Sequence, residues 1–311
     1  MSTSGLPPRT TVVDAGEVTL RAHVHERPEL PAGSPTVVAV HGYPDTQLVW
    51  DRVVADLAAD HRVVTYDVRG AGGSSPPATQ DGYRTERLVD DLVAVLEALA
   101  PDGPVHLLGH DWGSVHLWDA VCAEQHDSRL TGRIASYTSI SGPSLDHLAA
   151  FARKAPAEEV QAQRRQSWYV RAFHVPVLPE LAWRHLTGPL RRRVARTEGL
   201  VAADGPGGHW APSLGEDAAR GLAMYRANVR RRLRHPGDGA TRLPVLLVVP
   251  RDDSFVNPAS LRYVADVVPR LQRVDVAAGH WVLRTDPGLV AGLVRDFVTR
   301  HAPEQPRHPG W

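Results

Sequence analysis

Gly109-His110-Asp111-Trp112-Gly113 is the stretch of this chain best placed to do chemistry. It follows the apolar run Val105–Leu108 and opens a helical pattern over Ser114–Ala123, so its middle residue is expected on a sharp strand-to-helix turn. Glycines suit both flanks, because a side chain there would collide with neighbouring backbone. A residue on such a turn holds its side chain clear of the sheet, as a nucleophile must. An aspartate that only capped the helix would explain Asp111 alone, not the paired glycines with a strand before and a helix after. A nucleophile of this kind needs a base, and the base needs a group to orient it. Sixteen histidines are available.

The elements that would position these groups follow from the hydrophobic pattern. Val18–His25 alternates apolar and polar residues, as a half-buried strand does, and Ala15-Gly16 turns into it from a strand near Thr10–Val13. Thr36–His41, Arg62–Asp67, Val105–His110, Ile134–Ile140 and Val245–Val249 are short runs rich in β-branched residues, the pattern of parallel strands covered on both faces. Helical stripes lie between them at Leu48–Ala59 and Glu86–Ala100. The alternation predicts an α/β fold. From Gly142 to about Gly239 the strand pattern stops and Arg-rich helical segments with aromatic residues take over. This interval reads as a helical insertion over the sheet, with the strand pattern resuming at Leu243–Val249.

Composition narrows the function classes. Lys+Arg and Asp+Glu are both 35 in 311 residues, so the charge footprint of a nucleic-acid binder is missing. The basic runs Arg191–Arg193 and Arg230–Arg234 then read as solvated helix faces. Lys154 is the only lysine, a compositional bias. A single cysteine, Cys122, requires no oxidising compartment. The opening MSTSGLPPRT has no apolar signal core, and runs such as Val245–Val249 fall far short of the ~20 residues of a membrane span. A cytoplasmic protein without a membrane span is expected, with residues 304–311 an irregular tail. His23 and His25 share a strand face but read as polar edge positions rather than metal ligands. Gly70-Ala71-Gly72 half-matches a dinucleotide fingerprint and fails at Ser75, where the third glycine belongs.

The elbow, His41-Gly42-Tyr43-Pro44 with Trp50, and Asp67-Val68-Arg69-Gly70-Ala71-Gly72-Gly73-Ser74 together resemble the epoxide hydrolase and haloalkane dehalogenase group of α/β-hydrolases, over Thr36 to about His301. VVTYDVRGAGGSS and SISGPSLDH look closest to the hydrolase half of bacterial fusions with a short-chain dehydrogenase, and at 311 residues only that hydrolase half is expected here. The resemblance implies a mostly parallel eight-stranded sheet flanked by helices, with a helical cap inserted after strand six. The core would be residues 1–142 and 240–303, and the cap 143–239. It implies His280, in Ala278-Gly279-His280-Trp281 before the last helix, as the base, and Asp253 as its orienting acid. Pro250 stands where the family commonly has glycine, which keeps Asp252 open for that role; Asp146 is an outside candidate. Asn257-Pro258 would start the next helix. Tyr169 and Tyr225 resemble the family's two cap tyrosines, and the backbone N–H groups of Tyr43 and Trp112 its oxyanion hole. Trp112, Trp168 and Phe173 would line the substrate pocket.

An aspartate nucleophile restricts the reaction. Attack on acyl carbon would give a mixed anhydride, whereas attack on saturated carbon gives an ordinary ester that water can cleave. The leaving group is then an epoxide oxygen or a halide. A phenol, with pKa near 10, stays protonated at neutral pH and can still donate to the alkoxide an epoxide releases. The two tyrosines, together with Tyr43 where many dehalogenases carry asparagine, favour a small-molecule epoxide. A haloalkane is the alternative, and a catalytically idle binding protein the outsider. No metal or organic cofactor is implied, and the chain would act as a monomer or homodimer.

Overall fold

A computed structural model describes residues 7–204 and 208–302; the segment 304–311 and most of the opening stretch lie outside the described residues. The strands are β1 (Arg9–Asp14), β2 (Thr19–His25), β3 (Thr36–Val40), β4 (Arg62–Tyr66), β5 (Val105–His110), β6 (Ile134–Ile140), β7 (Val245–Pro250) and β8 (Leu271–Val276). They form one eight-stranded sheet in the order β1-β2-β4-β3-β5-β6-β7-β8. β2 pairs antiparallel with both β1 and β4, and the remaining pairs are parallel. Burial follows the sequence pattern: β5 and β7 are buried at every position, while β2 alternates.

Before β6 the helices are α1 (Asp51–Leu57), α2 (Thr85–Leu99) and α3 (Trp112–Ala123). Between β6 and β7 come α4 (Leu145–Lys154), α5 (Ala157–Gln166), α6 (Trp168–Phe173), α7 (Leu178–Thr197), α8 (Leu200–Asp204) and α9 (Leu214–Arg234). α10 (Val282–Thr285) and α11 (Pro287–His301) follow β8. One apolar cluster packs α2 and α3 against one sheet face through Leu92, Leu96 and Trp118. A second packs α1 and α11 on the other through Val53, Leu57 and Phe297. A third joins Tyr43 and Trp112 of the sheet side to Leu222 and Tyr225 of α9, so the inserted helices share a core with the loops that carry Asp111.

Two boundaries differ from the sequence expectation. β7 begins at Val245 rather than Leu243, consistent with Pro244, which has no N–H to give a ladder. The turn after Asn257 is a 3₁₀ helix over Pro258–Asp266, capped by the Asn257 side chain, which accepts from the Ala259 N–H at 3.0 Å.

Candidate active site

Asp111 lies between β5 and α3, capping the helix with φ 51° and ψ −126°, a positive-φ conformation that costs energy for a residue bearing a Cβ. The neighbouring glycines are what permit it. A Cβ on Gly109 would stand 2.7 Å from the Ser114 Cα, and one on Gly113 would run into the Val40 carbonyl. The bend leaves the Asp111 carboxylate partly open to the cavity above the sheet. Its Oδ1 accepts a 2.7 Å hydrogen bond from the Tyr43 N–H. Trp112 is the first residue of α3, so its N–H is one of those without an acceptor inside the helix.

His280 comes from the loop after β8. Its Nε2 lies 3.6 Å from Asp111 Oδ2, and its Nδ1 lies 2.9 Å from Asp253 Oδ2. The other Asp253 oxygen accepts from the Phe255 and Val256 N–H groups at 2.7 and 2.9 Å, which fixes the carboxylate. Asp252 points to solvent, so the structure pairs Asp253, not Asp252, with the imidazole. Burial resists a charge on His280, but Asp253 and Asp111 outweigh it and raise its pKa well above the ordinary value. Burial likewise opposes ionisation of Asp253, and His280 with the two backbone N–H groups wins, holding that pKa low. The imidazole thus sits between two carboxyl groups whose charge favours its protonated form.

A cavity of about 610 Å³ lies above them, lined by Asp111, His280, Tyr169 and Tyr225 together with Phe173, Trp183 and other residues of α6 and α7. Tyr169 and Tyr225 stand with ring centroids 6.2 Å apart. Burial pushes both phenols above their usual range, and the nearby Asp111 charge adds to this. Trp168 and Phe173 line the cavity, Trp168 at its exposed edge. Trp112 does not; its ring packs behind Tyr225, centroids 4.8 Å apart, because α3 starts beneath the cavity floor.

Several groups around His280 were not singled out in the sequence. His110 reaches the His280 carbonyl through Nε2 at 3.0 Å, and burial lowers its pKa to about 4, which keeps it neutral. Glu198, at the end of α7, accepts the His280 backbone N–H at 2.8 Å. Trp281 donates from Nε1 to Asp45 Oδ2 at 2.8 Å. His209 bridges Asp45 and Asp204 at 2.8 and 3.2 Å, and Asp204 also pairs with Arg284. Burial opposes charge on His209, yet Asp45 and Asp204 raise its pKa; burial opposes charge on Asp45, yet His209 pulls it down to about 2. Residues of the insertion thus hold the segment from His280 to Arg284 at several points.

The remaining candidates fall elsewhere. Asp146 is held by Arg232 at 2.7 Å, in a bridge that also takes Asp119. In the glycine loop after β4, the Gly73 N–H donates to Asp67 and the Gly72 N–H to Asp217, so these groups are spent on the protein's own carboxylates rather than turned to a phosphate. His23 and His25 are half-buried and contact Thr10 and Thr65.

The model of the alpha/beta hydrolase fold matches residues 35–287. The probable oxidoreductase EphD of Mycobacterium tuberculosis is 36% identical over 289 residues, covering 88% of this chain and 47% of that protein, so the chain spans about half the length of this relative. Epoxide hydrolase A of the same organism is 26% identical and covers 94% of this chain and 98% of its own length. Among solved structures, an epoxide hydrolase of Bacillus megaterium in complex with an inhibitor superposes with a TM-score of 0.75 at 19% identity, covering 94% of this chain and 100% of that one. Epoxide hydrolase VrEH1 of Vigna radiata gives 0.76 at 20% identity, covering 96% and 99%. At these identities the structural likeness speaks for the fold. With the model matching most of the chain, the sequence belongs to the alpha/beta hydrolase fold family.

Proposed function

We propose that the protein is an epoxide hydrolase that opens an epoxide to a vicinal diol through an ester on Asp111. Residues 1–142 and 240–303 would form the catalytic core and 143–239 the cap that closes the cavity. The observation that carries the reading is the line Asp253–His280–Asp111 beneath a cavity whose wall presents two phenols.

In the first step, an Asp111 carboxylate oxygen bonds to an epoxide carbon while that carbon's bond to oxygen breaks. Tyr169 or Tyr225 gives its proton to the departing oxygen. In the second step, water adds to the Asp111 carbonyl carbon and His280 takes its proton. The resulting oxyanion lies where the Tyr43 N–H already donates, with the Trp112 N–H as second donor; loss of one such donor typically costs on the order of 100-fold. Collapse breaks the bond between the Asp111 carbonyl carbon and the ester oxygen, the leaving alkoxide takes the proton from His280 to complete the diol, and the acid proton left on Asp111 restores the phenol.

Electrostatics order the two steps. Only a neutral imidazole can act as the base. Alkylation cancels the Asp111 charge, one of the interactions that keep His280 protonated, so ester formation itself prepares the base. The names of the relatives, epoxide hydrolase A among them, support the substrate class. Trp112 packs on Tyr225 and does not line the cavity, which disfavours the haloalkane reading, where an indole N–H beside the nucleophile would hold the halide.

Turnover of an epoxide such as styrene oxide in ¹⁸O water tests the route. The first diol released should carry an enzyme oxygen, and repeated turnover should place label in Asp111. A labelled first diol with Asp111 unlabelled would exclude the ester, and halide release without any diol formation would select the alternative.

A further inference from the structure

We propose that the face around the cavity mouth, built by α6, α7 and the end of α5, is a docking surface for an anionic lipid bilayer. Charge in this formally neutral chain is unevenly spread. Residues 164–196 hold eight arginines and one acid, Glu180, so this stretch carries +7 and the remainder of the chain −7. Glu180 is itself taken by Arg226. Arg164, Arg165, Arg171, Arg192, Arg193 and Arg196 are exposed and form no ion pair with any described residue.

The same stretch carries more than half of the large apolar side chains that are widely exposed among the described residues. Trp168 is 65% and Leu178 67% exposed, and Val175, Val177, Leu181 and Leu186 are also open to solvent. Trp168, Val175 and Leu178 line the cavity together with Arg191 and Arg193, so these apolar and basic side chains share one rim. An exposed indole and aliphatic side chains on a stretch rich in unpaired arginines suit the boundary between headgroups and acyl chains, where the guanidinium groups meet phosphate and the apolar side chains enter the apolar layer. A second copy of the chain is the poorer occupant, because a two-fold contact would set this basic face against itself. No helix among the described residues is long and apolar enough to cross a membrane, so the contact is adsorption at the interface. It would place the cavity mouth against the bilayer, where apolar ligands are concentrated.

The test reads binding without turnover and so stands apart from the epoxide reading. The whole chain is sedimented with vesicles of phosphatidylcholine alone or mixed equally with phosphatidylglycerol. The expected result is retention on the mixed vesicles only, weakened by salt. Two variants with circular dichroism matching the parent complete it, neither altering a cavity-lining residue. Arg164→Gln/Arg165→Gln/Arg192→Gln should weaken binding by about fivefold for each arginine replaced. Val177→Asp/Leu181→Asp should abolish it. Equal binding to neutral vesicles, no binding to either, or unchanged binding in both variants would overturn the proposal. So would a concentration-dependent dimer that the aspartate pair dissolves while vesicle binding persists.

Discussion

At the scale of the residue, the proposed chemistry rests on charge balance around His280. Asp111→Asn removes one of the two carboxylates that hold its proton, so the imidazole should titrate lower than in the parent; ring proton NMR across pH reads this directly, and an unmoved titration would remove Asp111 from that role. The same variant should lose roughly 10⁴-fold or more in diol formation, after checking that deamidation has not restored the acid. Tyr169→Phe and Tyr225→Phe should each slow ester formation, and the double variant by about 10³-fold, because a hydrocarbon ring gives no proton to the leaving oxygen. Rapid-quench measurement of the alkylated enzyme separates this step from hydrolysis; a double variant that alkylates at the parental rate would end the acid role. Asp111 was legible because its conformation requires small neighbours, and those neighbours are written as glycines on either side. Glu198 was not legible: it binds a backbone N–H across 82 positions of sequence, and a main-chain donor leaves no mark in side-chain spacing.

At the scale of the element, α7, α8 and the residues after them brace the loop that carries the histidine. Glu198 holds the His280 backbone, His209 with Asp45 holds Trp281, and Asp204 holds Arg284. This brace should depend on pH in a definite sense. His209 has a folded pKa above its unfolded value near 6.5, so its contribution is full below that value and is lost as pH rises through the raised one. Asp45 runs the other way: its contribution is full above about 3.8 and fades as pH falls toward 2. Between pH 6 and 9 the parent's Tm should therefore fall more than that of His209→Gln, and parallel curves would remove His209 as the cause. The parallel strands were legible because continuous apolar runs are needed where both faces are covered. The brace was not, since its members sit in an Arg-rich stretch whose pattern announces only a helix.

At the scale of the whole molecule, the insertion is fastened at many places besides the brace. Arg232 of α9 pairs with Asp119 of α3 and Asp146 of α4, and burial lifts Asp119 to about 6 against that guanidinium. Asn228 accepts from the Thr85 N–H and donates to the Tyr83 carbonyl, and the Tyr43 hydroxyl donates to the Ala218 carbonyl. With an apolar cluster shared as well, sheet and insertion should unfold together. Calorimetry should give one transition whose calorimetric and van't Hoff enthalpies agree; a separate earlier transition would mark the insertion as an independent unit.

The cavity has two makers. The carboxylates and the imidazole belong to loops at the ends of β5, β7 and β8, whereas Ala182, Trp183, Leu190 and Val194 on its wall belong to α7. Heredity can therefore edit the wall and the reagents on separate pages. Drift along one helix would retune which molecules are admitted while the proton-handling apparatus stays intact, and a library randomised at those four sites is where new tastes should surface first.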